Sequence, residues 1–435
     1  MSNSFYTKES KGIKYNFLDL QNTDIFKIEI VNKFGASVEA GLSETMGMSM
    51  SGALHLIEHL SFKSPLGYET LALEKELKRT GVRNASTGFS RLKFHHTTIS
   101  KHALFSIKAM VNVAFNSLSY IEEDEFAKEK SVVINEINGY HEDDPFMHNM
   151  ERYAFITNKD LEFNLIGVEE TLSKIELDDL IEMQAIIHEH FKFECEFNIM
   201  FDSTKSEYSD DEIISLIEVQ RKKLDDYAPF PLITESDVVV NYDKININKT
   251  KTVISKNMNR THLSLITDTT ADVIVQNVVN SYMKSIAEDS LHDVIRTKHG
   301  LTYNIYLYKF LVGDVYHTSL QLEIENGNED KVIELINETL KNISENYTEE
   351  KHDELIESLI LKEKMDAVSL YDMTNLFTYT NNSKEVLENI DLKDNPSYAQ
   401  IELIEKRATY DACSKAVMEF YDKVKNKDYA LIISN

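Results

Sequence analysis

The chain has 435 residues, 42% of them hydrophobic and 27% charged, an ordinary composition for a globular protein that is too long for one compact core. Lys and Arg number 46 against 73 Asp and Glu, a formal charge of −27, which disfavours nucleic-acid binding and favours basic partners or substrates. No apolar run approaches the roughly 20 residues that cross a bilayer, the amino-terminal stretch has no apolar signal segment, and Cys195 and Cys413 stand far apart, so the expectation is a cytoplasmic protein with no membrane partner.

In chain order, Phe26 to Phe34 alternates as a strand, and a loop rich in Gly, Ser and Met follows it. The stretch Ser51 to Phe62 is the next helix, and Tyr68 to Lys78 is an amphipathic one that stops before Gly81. A polar strand contains Lys93 to Ile99, and helical spacing resumes over His102 to Leu118 and Glu122 to Gly139. After Pro145 come a further helical segment, a turn at Gly167, a helix over Glu176 to His190 and a strand over Glu196 to Phe201. Residues 219–243 hold Pro229 and Pro231 among charges and read as a linker. Beyond it, His262 to Thr267 resembles the opening strand and Tyr429 to Ser434 the closing strand of the first half, at nearly equal offsets, as a duplicated domain gives.

Within the first half, the helix HLIEHL places His55, Glu58 and His59 at i, i+3 and i+4, on one face. Two imidazoles one turn apart can share a metal, and a carboxylate beside them can take a proton. The order H-x-x-E-H is the inverted form of the commoner zinc-hydrolase motif. The rival reading is two surface histidines on an ordinary helix. Glu129 and Glu136, two turns apart on one face of a later helix, are the region for a third ligand. The remaining histidines have plainer readings. His188 and His190 suit a helix end, His95 and His96 alternate faces of a strand, and His141 and His148 read as surface loop residues. The sequence contains no P-loop and no dinucleotide fingerprint.

Taken together, these segments resemble the pitrilysin family of inverted zinc metallopeptidases, which includes insulin-degrading enzymes and mitochondrial processing peptidase. Gly35-Ala36-Ser37-Val38-Glu39 is similar to the family's G-S-x-x-E, and HLIEHLSFKS to its H-x-x-E-H-x-x-F-K-G, with Ser64 where glycine is usual. Asn84-Ala85-Ser86-Thr87 is similar to its N-A-x-T edge strand, with Ser86 where some members carry an aromatic. The run from Glu129 to Glu136 resembles the third-ligand helix, and the run from Arg296 to Tyr303 resembles the R-x-x-x-G-L-x-Y segment of the second half.

The resemblance implies a role for each position. His55, His59 and Glu136 would bind one Zn²⁺ per chain, Glu58 would be the general base, and Glu129 would support the site from behind the ligands. Arg296 and Tyr303 would contact the substrate near the scissile carbonyl, and Asn84, Ala85 and Ser86 would hold an extended peptide at a sheet edge. The implied fold is α+β, with two homologous domains, each a mixed, mostly antiparallel sheet packed with helices. Residues 1–218 form the zinc-binding domain, 219–243 the linker and 244–435 the second domain. The implied function is zinc-dependent endopeptidase action on extended peptides or unfolded segments, basic ones by charge, inside a chamber. A homodimer is the economical way to close that chamber, with a heterodimer as the alternative. The rival function is a non-catalytic structural or peptide-binding subunit of a larger assembly.

Overall fold

The computed structural model describes residues 4–63, 70–140, 165–191, 195–227, 249, 251–254, 260–312, 315–366 and 396–434. They fall into two compact units, one from the described residues up to 227 and one from 249 onward. Each is a mixed sheet with helices, so the α+β reading holds.

The first unit opens on a hairpin of β1 (Ser4–Ser10) and β2 (Ile13–Asp19). Its turn residues, Lys11 and Gly12, have φ of 51° and 77°, the left-handed pair that tight hairpins use. With β3 (Ile25–Asn32), β4 (Val82–Thr87), β5 (Leu92–Ile99) and β6 (Cys195–Phe201), the sheet order is β1-β2-β6-β3-β5-β4. Strand β6 runs parallel to β2, and every other pair is antiparallel. One face carries Tyr15, Phe17, Phe26, Ile28, Ile30, Phe94 and Phe197 into the core.

Between β3 and β4 lie α1 (Glu39–Met46), α2 (Ala53–Ser61) and α3 (Thr70–Thr80). After β5 come α4 (Ala103–Phe115) and α5 (Glu123–Tyr140). The short α6 (Glu169–Leu172) and α7 (Leu177–Phe191) precede β6, and α8 (Asp210–Tyr227) follows it.

Two expectations need correction. The stretch read as a Gly, Ser and Met loop contains α1, because burial of Glu39 and Leu42 overrides the weak helix propensity of Gly41 and Ser43. The linker does not begin at residue 219, since α8 runs to Tyr227. Ile213, Ile217 and Leu224 keep its buried stripe going, and Gln220 donates to Asn112 Oδ1 at 2.6 Å from the same face. Pro229 and Pro231, the segment after Pro145, His141 and His148 lie outside the described residues.

The second unit comprises β7 (Lys251–Ile254), β8 (Thr261–Asp268), α9 (Val273–Ser281), two π-helical stretches (Tyr282–Ile286 and His292–Lys298), β9 (Thr302–Val312) and β10 (Val315–Ile324). It continues through α10 (Glu329–Glu345), α11 (Glu349–Asp366), α12 (Pro396–Arg407), α13 (Tyr410–Lys425) and β11 (Ala430–Ser434). The sheet order is β7-β11-β8-β10-β9, with β11 parallel to β7 and the rest antiparallel. Without β1, the first sheet has the same order and polarity. Strand β8 takes the place of β3, and β11 that of β6.

Candidate metal centre

Helix α2 starts in an unusual way. Gly52 precedes it at φ 80°, with no side-chain cap of its own. The cap comes instead from Glu39 at the start of α1, whose carboxylate accepts the Gly52 N–H at 2.9 Å and the Leu54 N–H at 2.8 Å. Glu39 is fully buried, and burial pushes its pKa up to about 8 against the two N–H donors that favour its charged form. Gly52 is also pressed against Gly167, where φ is 84°. A Cβ on either glycine would come within 2.5 Å of the other's Cα. This crossing brings the Ile166 carbonyl to His55, whose Nδ1–H donates to it at 3.3 Å.

His55 Nδ1 is therefore occupied, and Nε2 is left to face Glu136 Oε2 at 3.9 Å. His59 is arranged in the same way. Its Nδ1 faces Glu129 Oε2 at 3.5 Å, and its Nε2 faces Glu136 Oε2 at 3.4 Å. One ligand atom from each of His55, His59 and Glu136 lies within 4.8 Å of the others, and no other such cluster occurs among the described residues. Tetrahedral zinc with bonds of about 2.0–2.2 Å needs ligand atoms about 3.3–3.6 Å apart. The donor set, two imidazoles and a carboxylate with both outer ring nitrogens already engaged, fits that ion.

Lys63 closes the back of the site, with Nζ 3.0 Å from Glu129 Oε1 and 3.1 Å from Glu74 Oε1. The hydrogen bond from His59 and the Lys63 ammonium hold the Glu129 carboxyl below its usual range. Glu58 lies on the same face of α2. Burial raises its pKa, and Thr87 Oγ1 donates to its Oε2 at 2.6 Å. Thr87 sits on β4, one of the two edge strands of the sheet. Along β4 the side chains alternate. Ala85 packs on the core side that Thr87 also faces, while Asn84 and Ser86 point to the opposite, exposed face.

Arg296 and Tyr303 belong to the second unit. The Arg296 guanidinium lies over the Tyr303 ring at 4.5 Å, and its Nη1 is 3.1 Å from His292 Nε2. Tyr303 is 66% exposed at the start of β9, an outer strand. Two of the other histidines have structural roles. His96 is fully buried between Ser106 Oγ (2.9 Å) and the Leu77 carbonyl (3.2 Å). His188 lines an apolar cavity of about 60 Å³ behind α2, with Leu54, Ile57 and Phe94.

Sequence reasoning assigned no role to Glu39, Lys63 or the Gly52–Gly167 crossing, and placed Thr87 only in the edge strand. Glu39, Lys63 and Thr87 stood inside the quoted segments GASVE, HLIEHLSFKS and NAST, so a signal was present there. The glycine crossing had none, because it joins residues far apart in the chain.

A helix with two imidazoles and a carboxylate base, backed by a second helix that supplies another carboxylate, defines an inverted-motif metallopeptidase-like centre. Residues 37–167 match the model of the insulinase family, peptidase family M16, and residues 208–359 match that of the peptidase M16 inactive domain. The chain belongs to peptidase family M16, in its two-domain form.

Among curated proteins it is 26% identical over 144 residues to the zinc protease YmxG of Bacillus subtilis, which covers 33% of this chain and 34% of that protein. It is 32% identical over 127 residues to the zinc protease PqqE of Helicobacter pylori, covering 29% and 27%. These matches span about a third or less of the relatives' own length. Among solved structures, a protease from Helicobacter pylori superposes with a TM-score of 0.75 at 16% identity over 100% of both chains. A peptidase M16 inactive domain from Pseudomonas fluorescens gives 0.73 at 13% identity, over 99% of this chain and 97% of that one. At such identities these two establish the fold alone.

Proposed function

We propose that the chain is a zinc-dependent endopeptidase. The observation that carries the reading is the convergence of His55 Nε2, His59 Nε2 and a Glu136 oxygen, each imidazole held from behind, with Glu58 beside them. His55, His59 and Glu136 would hold the ion. When bound, zinc supplies a Lewis acid that makes water acidic enough to attack at neutral pH. Glu58 would take a proton from the attacking water and return it to the leaving amine, and Thr87 keeps one of its oxygens in place. Glu129 and the Ile166 carbonyl fix the ring orientations.

The substrate is an extended peptide or an unfolded segment. Its main chain adds to β4 along Asn84, Ala85 and Ser86, while Arg296 and Tyr303 donate to the scissile carbonyl as it gains charge. The charge of −27 favours basic peptides through long-range attraction. A second copy of the chain closes the chamber, with a different M16 subunit as the alternative partner. The free, buried Cys195 and Cys413 suit a reducing compartment such as the cytoplasm. Residues 208–359 match an inactive domain, but the proposed ligands and base all lie between 55 and 136, outside that match.

The test is Glu58→Gln, which keeps the side chain's size but cannot accept the proton. Zinc content should stay at one per chain while peptide turnover falls at least ~100-fold. Near-normal turnover would leave the chain as a peptide-binding or structural subunit.

A further inference from the structure

On the face of the first sheet turned away from its aromatic core, one row of opposed residues crosses all six strands. It runs Asn84, His95, Glu29, Asn198, Asn16, Thr7. Thr7 Oγ1 donates to Asn16 Oδ1 at 2.9 Å, Asn16 Nδ2 to Asn198 Oδ1 at 2.9 Å, and Asn198 Nδ2 to Glu29 Oε2 at 2.8 Å. The other Glu29 oxygen faces Lys27 Nζ at 3.7 Å, so that carboxylate has its counterion. The neighbouring row runs Ser86, Lys93, Val31, Glu196. There Glu196 is taken by Lys33 at 3.6 Å.

Lys93 is left over. Among the described residues neither it nor His95 has a hydrogen-bond or ion-pair partner. Burial lowers the pKa of Lys93 and takes His95 down to about 4, so His95 is a neutral donor at physiological pH. The nearest carboxylate that attracts Lys93 is Glu29, beyond ion-pair distance and already shared with Lys27, so the half-buried ammonium has no direct partner of its own, where such groups are normally paired. In a chain with 73 acidic residues, none of those described pairs with it. The side chains between this pair and the open edge of β4 are the short Ser86 and Asn84.

We propose that Lys93, assisted by His95, receives a carboxylate of a peptide bound along β4, either an Asp or Glu side chain or the terminal carboxylate. The inference rests on the peptidase reading to the extent that it needs a peptide on that edge. Two strand spacings, about 9.6 Å, separate β5 from an added strand, a gap that a lysine stem and a glutamate stem close over Ser86. Side chains of an added strand alternate, so the residue that meets Lys93 neighbours one that points toward Thr87 and the metal side. The net charge of the chain acts on a peptide's approach. Lys93 acts at one position once the peptide is bound.

The experiment takes a labelled peptide that the wild type cleaves and changes one position at a time from Gln to Glu. A second arm compares free-acid with amidated carboxyl termini. Binding to the zinc-loaded Glu58→Gln chain is read by fluorescence anisotropy. One position, or the free-acid terminus, should tighten binding about tenfold, the scale of one hydrogen-bonded charge pair. Lys93→Met should bring the Glu peptide back to the affinity of its Gln counterpart, and Lys93→Glu should reverse the preference toward Lys at that position. Cleavage with no gain from a carboxylate in either arm, or a gain that survives both Lys93 variants, overturns this inference alone. Absence of both cleavage and binding for every peptide overturns it together with the peptidase reading.

Discussion

In the first unit the chain between β3 and β4 makes three helices, and the second of them carries His55, Glu58 and His59. In the second unit the chain between β8 and β9 makes α9 and two π-helical stretches. Where α2 turns its polar side chains toward Glu136, α9 turns two of its own on each other, with Gln276 Nε2 donating to Asn280 Oδ1 at 2.8 Å. The helix starts differ as well. Helix α9 is capped by its own Asp272, which accepts from Ile274 N at 2.8 Å, whereas α2 is capped by Glu39 from another helix. A local cap settles where a helix begins. A remote cap also settles how it sits against its neighbour, which a metal site with sub-ångström tolerance requires. The sheets are alike, and the chemistry follows from what connects their strands.

The comparison extends to the edge strands. Gly81 precedes β4 and Gly300 precedes β9, and the third residue after each, Asn84 and Tyr303, is exposed. If the second unit contributes Tyr303 to the reaction, Tyr303→Phe should cut turnover by ~100- to 1,000-fold with zinc content unchanged. Unaltered turnover would remove the second unit from the chemistry.

A smaller effect separates the glycines. A Cβ at Gly167 meets the Gly52 backbone, while one at Gly300 meets nothing within 4 Å and bears only the cost of φ 64°. Gly167→Ala should therefore weaken zinc affinity ~10- to 100-fold through the displaced Ile166 carbonyl. Gly300→Ala should cost about 1 kcal/mol of stability and leave zinc binding alone. Calorimetric zinc titrations of the two variants decide the matter, and equal zinc affinity would mean the crossing does not orient His55.

The smallest effect concerns Glu39. Burial raises its folded pKa from the ordinary 4.5 to about 8, so the stability it contributes is complete below pH ~4.5 and is lost as pH rises through 8. Glu39→Gln resembles the protonated carboxyl and lacks that loss. Between pH 5 and 8.5 the variant should gain about 1 kcal/mol or more on the wild type in denaturant unfolding with saturating zinc. Parallel curves would show that the two N–H donors and the helix terminus keep Glu39 charged near its ordinary pKa.

Much of this was legible in the sequence because it is local. The spacing of His55, Glu58 and His59 needs only helix geometry, and the paired strands β3/β8 and β6/β11 announce themselves by composition and offset. The hairpin of β1 and β2 was not seen, since Tyr6 and Phe17 sit among polar residues and only the Lys11–Gly12 turn marks it. The reach of α8 past Val219 was hidden because its buried face passes through Gln220 before the next buried aliphatic residue, Leu224. The capping of α2 by Glu39 and the row from Thr7 to Asn84 depend on which strands and helices become neighbours. No local pattern encodes that.

Whether His55, His59 and Glu136 together hold one zinc ion decides the reading of the first unit. Metal analysis of the purified chain beside His55→Ala, Glu136→Gln and Glu129→Gln tests it most directly. The wild type should hold about one zinc per chain, His55→Ala and Glu136→Gln should lose most of it, and Glu129→Gln should keep a weakened ion. Full occupancy in Glu136→Gln with loss in Glu129→Gln would contradict it and move the third ligand two turns back along α5.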